Sequence, residues 1–180
     1  MVVDKTSHTN DELADLVDAG DNVIGQEWRS VAYENNMMHQ LRGVWFFIKN
    51  DKGQLWIARR SAHKSTYPLA LDGSAVGLVG AGETYDQSVK REVLEELNID
   101  LNRQPFTLLG YGFAPGFAAS HVRVYQMISN DIPPFNKDDI AEGLWLYPKE
   151  LLDLYKKGEP MKPTLPRLVM MFFAPDLFCK

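Results

Sequence analysis

The sequence predicts an α/β protein in which a mixed sheet is flanked by helices, and three observations carry that prediction. Short apolar runs bounded by turn residues recur along the chain and read as strands. One central segment has helical periodicity and a strong start signal. Two apolar helical patterns close the chain. In order, Leu13–Asp18 and Asn22–Gly25 are short strands around Ala19-Gly20-Asp21. Met38–Asn50 is a long strand, Asp51-Lys52-Gly53 a hairpin turn, and Gln54–Arg59 the partner strand. Ser74–Val79 is a further strand running into the glycine-rich segment from Gly77 to Gly82. Thr84 with Gln87 makes a capping box, and Val89, Val93 and Leu97 recur at four-residue spacing, so a helix runs from Thr84 to Asn98. Strands follow at Phe106–Tyr111, Val122–Ser129 and Leu144–Tyr147, then helices at Pro148–Lys157 and Leu165–Ala174. Hairpins are expected to join most of the strands.

The 180 residues suit one domain, with residues 1–12 loose and polar and the folded unit spanning 13–180. The chain carries 19 basic and 24 acidic side chains, a net charge of −5. That balance makes it a poor partner for a phosphate backbone, so no nucleic acid is expected. A single cysteine, Cys179, excludes a disulfide framework and a Cys-rich zinc site. The longest apolar runs, such as Val44–Ile48, fall far short of the roughly 18 residues of a membrane span, and the acidic start is the reverse of an export signal. The cytoplasm is the expected compartment, with no membrane partner. A homo-oligomer stays open.

The helix after Thr84 carries the chemistry. At about 100° per residue, Glu92, Glu95 and Glu96 share an arc of roughly 100°, beside the apolar stripe of Val89, Val93 and Leu97. Like charges at i,i+3 and i,i+4 repel, and the helix C-terminus disfavours anions. The positions four residues beyond these acids hold Glu96, Ile99 and Asp100 in place of lysines. Either this is a ligand-free acidic face, or a divalent cation compensates it. Clustered oxygens suit Mg²⁺, with Mn²⁺ as the alternative.

Residues 77–99 resemble the Nudix box, G-x5-E-x7-R-E-U-x-E-E-x-G-U, with Gly77, Glu83, Arg91, Glu92, Val93, Glu95, Glu96 and Ile99 in register. Asn98 stands where the family has glycine, a small departure because asparagine also closes helices in the left-handed conformation. The resemblance implies an α/β/α Nudix sandwich with a mixed sheet. It implies that Glu92, Glu95 and Glu96 hold a metal, with the Gly77 carbonyl, while Glu83 braces Arg91. It further implies hydrolysis of a small-molecule diphosphate, a nucleotide or nucleoside diphosphate derivative, by water attacking phosphorus.

Leu16-Val-Asp, Asn22-Val-Ile-Gly, Arg59-Arg60, Lys64, Pro68 and Glu142-x2-Trp145 resemble the branch of the family related to isopentenyl-diphosphate isomerase. Those isomerases place cysteine before the loop glycine and histidine after it, where this chain has Val76 and Leu78. Isomerase activity is therefore the weaker alternative. A non-catalytic nucleotide- or ADP-ribose-binding module is another, disfavoured by the complete carboxylate set. The resemblance puts Arg60 and Lys64 on the diphosphate and offers Glu142, with Asp138 and Asp139 nearby, as a general base from a loop before a late strand. His8, His39, His63 and His121 lack ligand spacing, although His63 lies beside Lys64. Tyr111, Phe113 and Phe117 are candidates for stacking on a base.

Overall fold

A computed structural model of the chain describes residues 11–113 and 121–177. Strands β1 (Leu13–Val17) and β2 (Val23–Trp28) form a separate antiparallel ribbon. Their turn is tied by the Asp18 carboxylate, which accepts from the Gly20 and Asn22 backbone N–H groups. The remaining strands build a mixed seven-stranded sheet: β3 (Arg42–Lys49), β4 (Leu55–Arg60), β5 (Leu71–Asp72), β6 (Ala75–Leu78), β7 (Thr107–Phe113), β8 (His121–Ile128) and β9 (Ile140–Leu146). Strand β3 is central. It runs parallel to β8 along its whole length. Its other edge is shared between two antiparallel partners, β6 along Gly43–Phe46 and β4 only at Ile48 and Lys49.

Helices cover both faces. Because side chains alternate across a strand, Val44, Phe46 and Ile48 of β3 point one way and Trp45 and Phe47 the other. The first set packs with Val89, Val93 and Leu97 of α2 (Tyr85–Leu97). The second packs with Leu151 and Leu152 of α3 (Pro148–Lys156) and with Leu165, Leu168 and Val169 of α4 (Thr164–Phe173). Each of these large apolar side chains contributes about 1.5–3 kcal/mol on full burial. The result is the α/β/α sandwich expected from the sequence. Among the described residues no helix is long and apolar enough to cross a membrane.

Helix α2 forms as its local signals dictate. The Thr84 and Gln87 side chains and backbones satisfy each other reciprocally, and Asn98 closes the helix at φ 56°. Other boundaries differ from expectation. Residues 38–40 make a single 3-10 turn, so β3 starts at Arg42. A short helix, α1 (Arg29–Glu34), has no side-chain cap to announce it. Strand β9 starts at Ile140 because it pairs with β4 from Arg60 onward. Hairpin neighbours are β1–β2, β3–β4 and β7–β8, but the sheet is closed by the long-range pairs β3–β8, β3–β6 and β4–β9. Residues 1–10 and Cys179 lie outside the described residues. The adjoining Asp11 and Glu12 are anchored: Asp11 accepts from Ser30, and Glu12 pairs with Arg29.

Candidate active site

Strand β6 and helix α2 meet at a glycine. A Cβ on Gly77 would lie 1.9 Å from the carboxyl carbon of Glu92 and 2.0 Å from its Oε1. Only glycine lets the helix carboxylate lie against the strand backbone there. One turn on, Glu96 accepts from the Val76 backbone N–H at 3.1 Å. Burial pushes the Glu92 carboxyl up to about 7, against the pull of Arg91. Burial, reinforced by the negative charge of Glu92, pushes Glu96 up to about 8. Both groups therefore favour a positive partner.

Arg91 organises the same face. Its Nε and Nη2 donate to the two Glu83 oxygens, both at 2.9 Å, and Nη2 also reaches the Leu78 carbonyl at 3.1 Å. Its Nη1 donates to Glu92 Oε1 at 2.6 Å and lies 3.4 Å from Glu95. Glu83 is also held by the Ser88 hydroxyl and the Gly80 N–H, and the Arg91 guanidinium leads in lowering its carboxyl to about 2. Glu83 and Arg91, which the family resemblance pairs, form an ion pair here.

Glu92, Glu96 and Gly77 line a cavity between α2 and the opposite loops. Gly43 and Trp45 of β3, Val122 of β8, and Glu12, Arg29 and Tyr33 also line it. Part of its wall is cationic. Arg60 at the end of β4, Lys64 on the loop after it and Lys162 just before α4 all line the cavity. Buried Asp72 accepts from Arg60 Nη1 at 3.1 Å and pairs with Lys162 Nζ at 2.7 Å, so two cations share one carboxylate. Lys162 Nζ also stands 5.6 Å from the centre of the Trp45 ring. Lys64 is paired with Asp139.

The sequence-predicted residues thus divide. Arg60, Lys64, Glu92, Glu96 and Gly77 meet at one cavity. Glu95 is exposed and lines a shallower depression with Glu12, Gly80, Glu83 and Arg91. Among the described residues no three Asp, Glu, His or Cys side chains converge closely enough to form a ready metal cluster. Arg91 holds Glu92 and Glu95 from the outer side, and Glu96 is drawn to Val76. Glu142 is absent from the cavity. It lies inside β9 opposite Arg59 and accepts from Arg59 Nε at 2.6 Å. His39, His63 and His121 do not line it either. Tyr111 lies against Arg123 elsewhere, while the Phe113 side chain, Phe117 and His8 fall outside the described residues. Sequence reasoning missed Lys162, Arg29, Tyr33 and Tyr67, which come from loops and a short helix without any motif.

Two carboxylates of one helix thus share a cavity with three cations from distant parts of the chain. The NUDIX domain family matches residues 39–168, and the chain belongs to the Nudix hydrolase family. An uncharacterized Nudix hydrolase of Nostoc sp. is 44% identical over 164 residues, covering 91% of this chain and 96% of the relative. A Nudix hydrolase of Deinococcus radiodurans is 40% identical over 165 residues, covering 89% and 93%. The crystal structure of DR0079 from Deinococcus radiodurans superposes with a TM-score of 0.80 at 36% identity, covering 90% of this chain and 99% of that one.

Proposed function

We propose that this Nudix hydrolase uses Mg²⁺, with Mn²⁺ as a substitute, to cleave a diphosphate linkage in a nucleotide or nucleoside diphosphate derivative. The observation that carries the reading is that buried Glu92 and half-buried Glu96 line one cavity together with Arg60, Lys64 and Lys162. The residues suit a hard cation: the donors are all oxygens, Gly77 leaves room beside Glu92, and burial makes a positive partner favourable. Glu92, Glu96 and the Gly77 carbonyl would hold the ion, with Glu95 joining from the exposed side. When bound, the ion polarises phosphoryl oxygens and acidifies water.

The protein's own groups do the rest. Arg60, Lys64 and Lys162 receive the phosphate oxygens, arginine by its planar fork and the lysines as point charges. The Glu83–Arg91 brace keeps α2 aligned with the loop before it. A water oxygen forms the new bond to phosphorus while the bridging P–O bond breaks, and the leaving phosphate oxygen keeps the electron pair. The water's proton passes to a carboxylate lining the cavity. That role suits Glu142 poorly, because its carboxylate is engaged by Arg59.

The test is product release from a panel of nucleoside di- and triphosphates, sugar nucleotides and dinucleotides, with and without Mg²⁺. Glu92→Gln, Glu95→Gln and Glu96→Gln should each lower the Mg²⁺-dependent rate by about 100-fold or more. Unchanged rates in Glu92→Gln and Glu96→Gln would overturn the assignment.

A further inference from the structure

Between β4 and β5 the chain passes through Thr66-Tyr67-Pro68-Leu69 at the edge of the cavity. Tyr67 has φ 49° and Leu69 φ 59°. Bulky side chains rarely enter this left-handed region, and two such residues flanking a proline make a strained turn. Arginines hold it in place. Arg60 Nε and Nη2 donate to the Thr66 carbonyl at 3.2 and 3.0 Å, and Arg59 Nη1 donates to the Leu69 carbonyl at 3.0 Å. A glycine or asparagine at 67 would relieve the strain. The chain instead carries an aromatic ring there, 46% exposed, lining the cavity next to the cationic wall. No other ring among the described residues stacks on it.

We propose that Tyr67 is a specificity-determining residue, its ring stacking on a planar heteroaromatic group carried by the diphosphate substrate. This rests on the hydrolase reading above and names the part of the substrate that the carboxylates and cations do not touch. The surroundings select the chemistry. Glu12, Arg29, Tyr33 and Thr66 line the same cavity as Tyr67. A hydrocarbon chain would desolvate these polar groups without returning a hydrogen bond. A heteroaromatic base offers a π-face to Tyr67 and donors and acceptors along its edge. Stacking of this kind tolerates different bases, because each has such a face.

The experiment uses non-hydrolysable α,β-methylene analogues of ADP, GDP, CDP and UDP, with methyl diphosphate as the probe lacking a base. Binding is measured by calorimetry with Mg²⁺ present, for the wild type, Tyr67→Phe and Tyr67→Asn. Asparagine accepts the left-handed backbone, so the Tyr67→Asn unfolding midpoint should not fall. Wild type and Tyr67→Phe should bind the favoured nucleoside analogue alike, and Tyr67→Asn about tenfold or more weakly. All three should bind methyl diphosphate equally. The proposal is overturned if Tyr67→Asn binds the nucleoside analogue as well as the wild type, or loses both probes in the same proportion. It is also overturned if the wild type prefers isopentenyl diphosphate to every nucleoside analogue. Because binding is read without turnover, absence of Mg²⁺-dependent hydrolysis would sink the hydrolase reading alone.

Discussion

Gly77→Ala isolates the contact on which the carboxylate wall depends. Gly77 pairs with Val44 in the sheet and has no positive φ, so alanine meets no backbone obstacle. The obstacle is Glu92. Its carboxyl carbon would stand 1.9 Å from the new methyl, and ordinary contact begins at 3.4 Å, so it must retreat by about 1.5 Å. Overpacking of this size costs about 1–3 kcal/mol. Swinging Glu92 toward water offsets part of that cost, since burial disfavours its charged form. A net loss of about 1 kcal/mol is expected in urea unfolding at pH 8. Activity should suffer far more, because a displacement of about 1 Å at a reacting centre costs on the order of 100-fold. Gly77→Ala/Glu92→Ala supplies the control: the methyl then occupies space the carboxylate has left. Stability should recover relative to the sum of the single changes, while hydrolysis stays low. Wild-type turnover in Gly77→Ala, or strictly additive stabilities in the double variant, would refute the reasoning.

Two further outcomes follow from the packing and the charges. Glu83→Gln removes the main partner of Arg91. The folded Glu83 carboxyl titrates near 2, below the ordinary 4.5, so its contribution is complete above about pH 4.5 and fades as pH falls toward 2. The stability gap between wild type and Glu83→Gln should be about 1 kcal/mol at pH 7, with solvent screening included, and should shrink in urea titrations at pH 3.5. A gap that widens on acidification would contradict the assignment. Gly143→Ala would bring a methyl within 2.0 Å of Trp56 Cζ2, in a strand fixed by pairing with Ala58 and under a fully buried ring. A loss of about 3 kcal/mol is expected, visible as a lower urea midpoint by tryptophan fluorescence. A change under 0.5 kcal/mol, on the order of an ordinary surface substitution, would count against that packing.

Helix α2 was legible because everything that defines it is local. The Thr84–Gln87 box, the four-residue apolar spacing, the Asn98 cap and the eight-residue reach from Glu83 to Arg91 all lie in one stretch. The cationic wall was legible only in part. Arg60 and Lys64 could be singled out by resemblance, but Lys162 joins them through Asp72, ninety residues earlier, and no periodicity records that contact. Glu142 was misjudged as a loop acid because the start of β9 depends on its register with β4, a long-range property. Arg42 and Asp15 are a similar case. Their ion pair of 2.9 Å, with Asp15 also accepting from Gly82, pins the β1–β2 ribbon beside α2 and so brings Glu12 to the cavity.

The shared edge of β3 has an evolutionary consequence. Since β6 takes one half of that edge and β4 the other, the chain between them, residues 61–74, loops out after β4, adds the two-residue strand β5 beside it and reaches β6 without passing through α2. Three of its residues, Lys64, Thr66 and Tyr67, line the cavity that Glu92 and Glu96 also line. Tyr67 and the carboxylates of α2 thereby lie on separable stretches of the gene. Exchanging residues 65–70 between relatives, with Lys64 and Asp72 kept, should retarget the enzyme while the α2 carboxylates and the cations held by Asp72 stay in place, and this makes that loop the natural segment for a chimera.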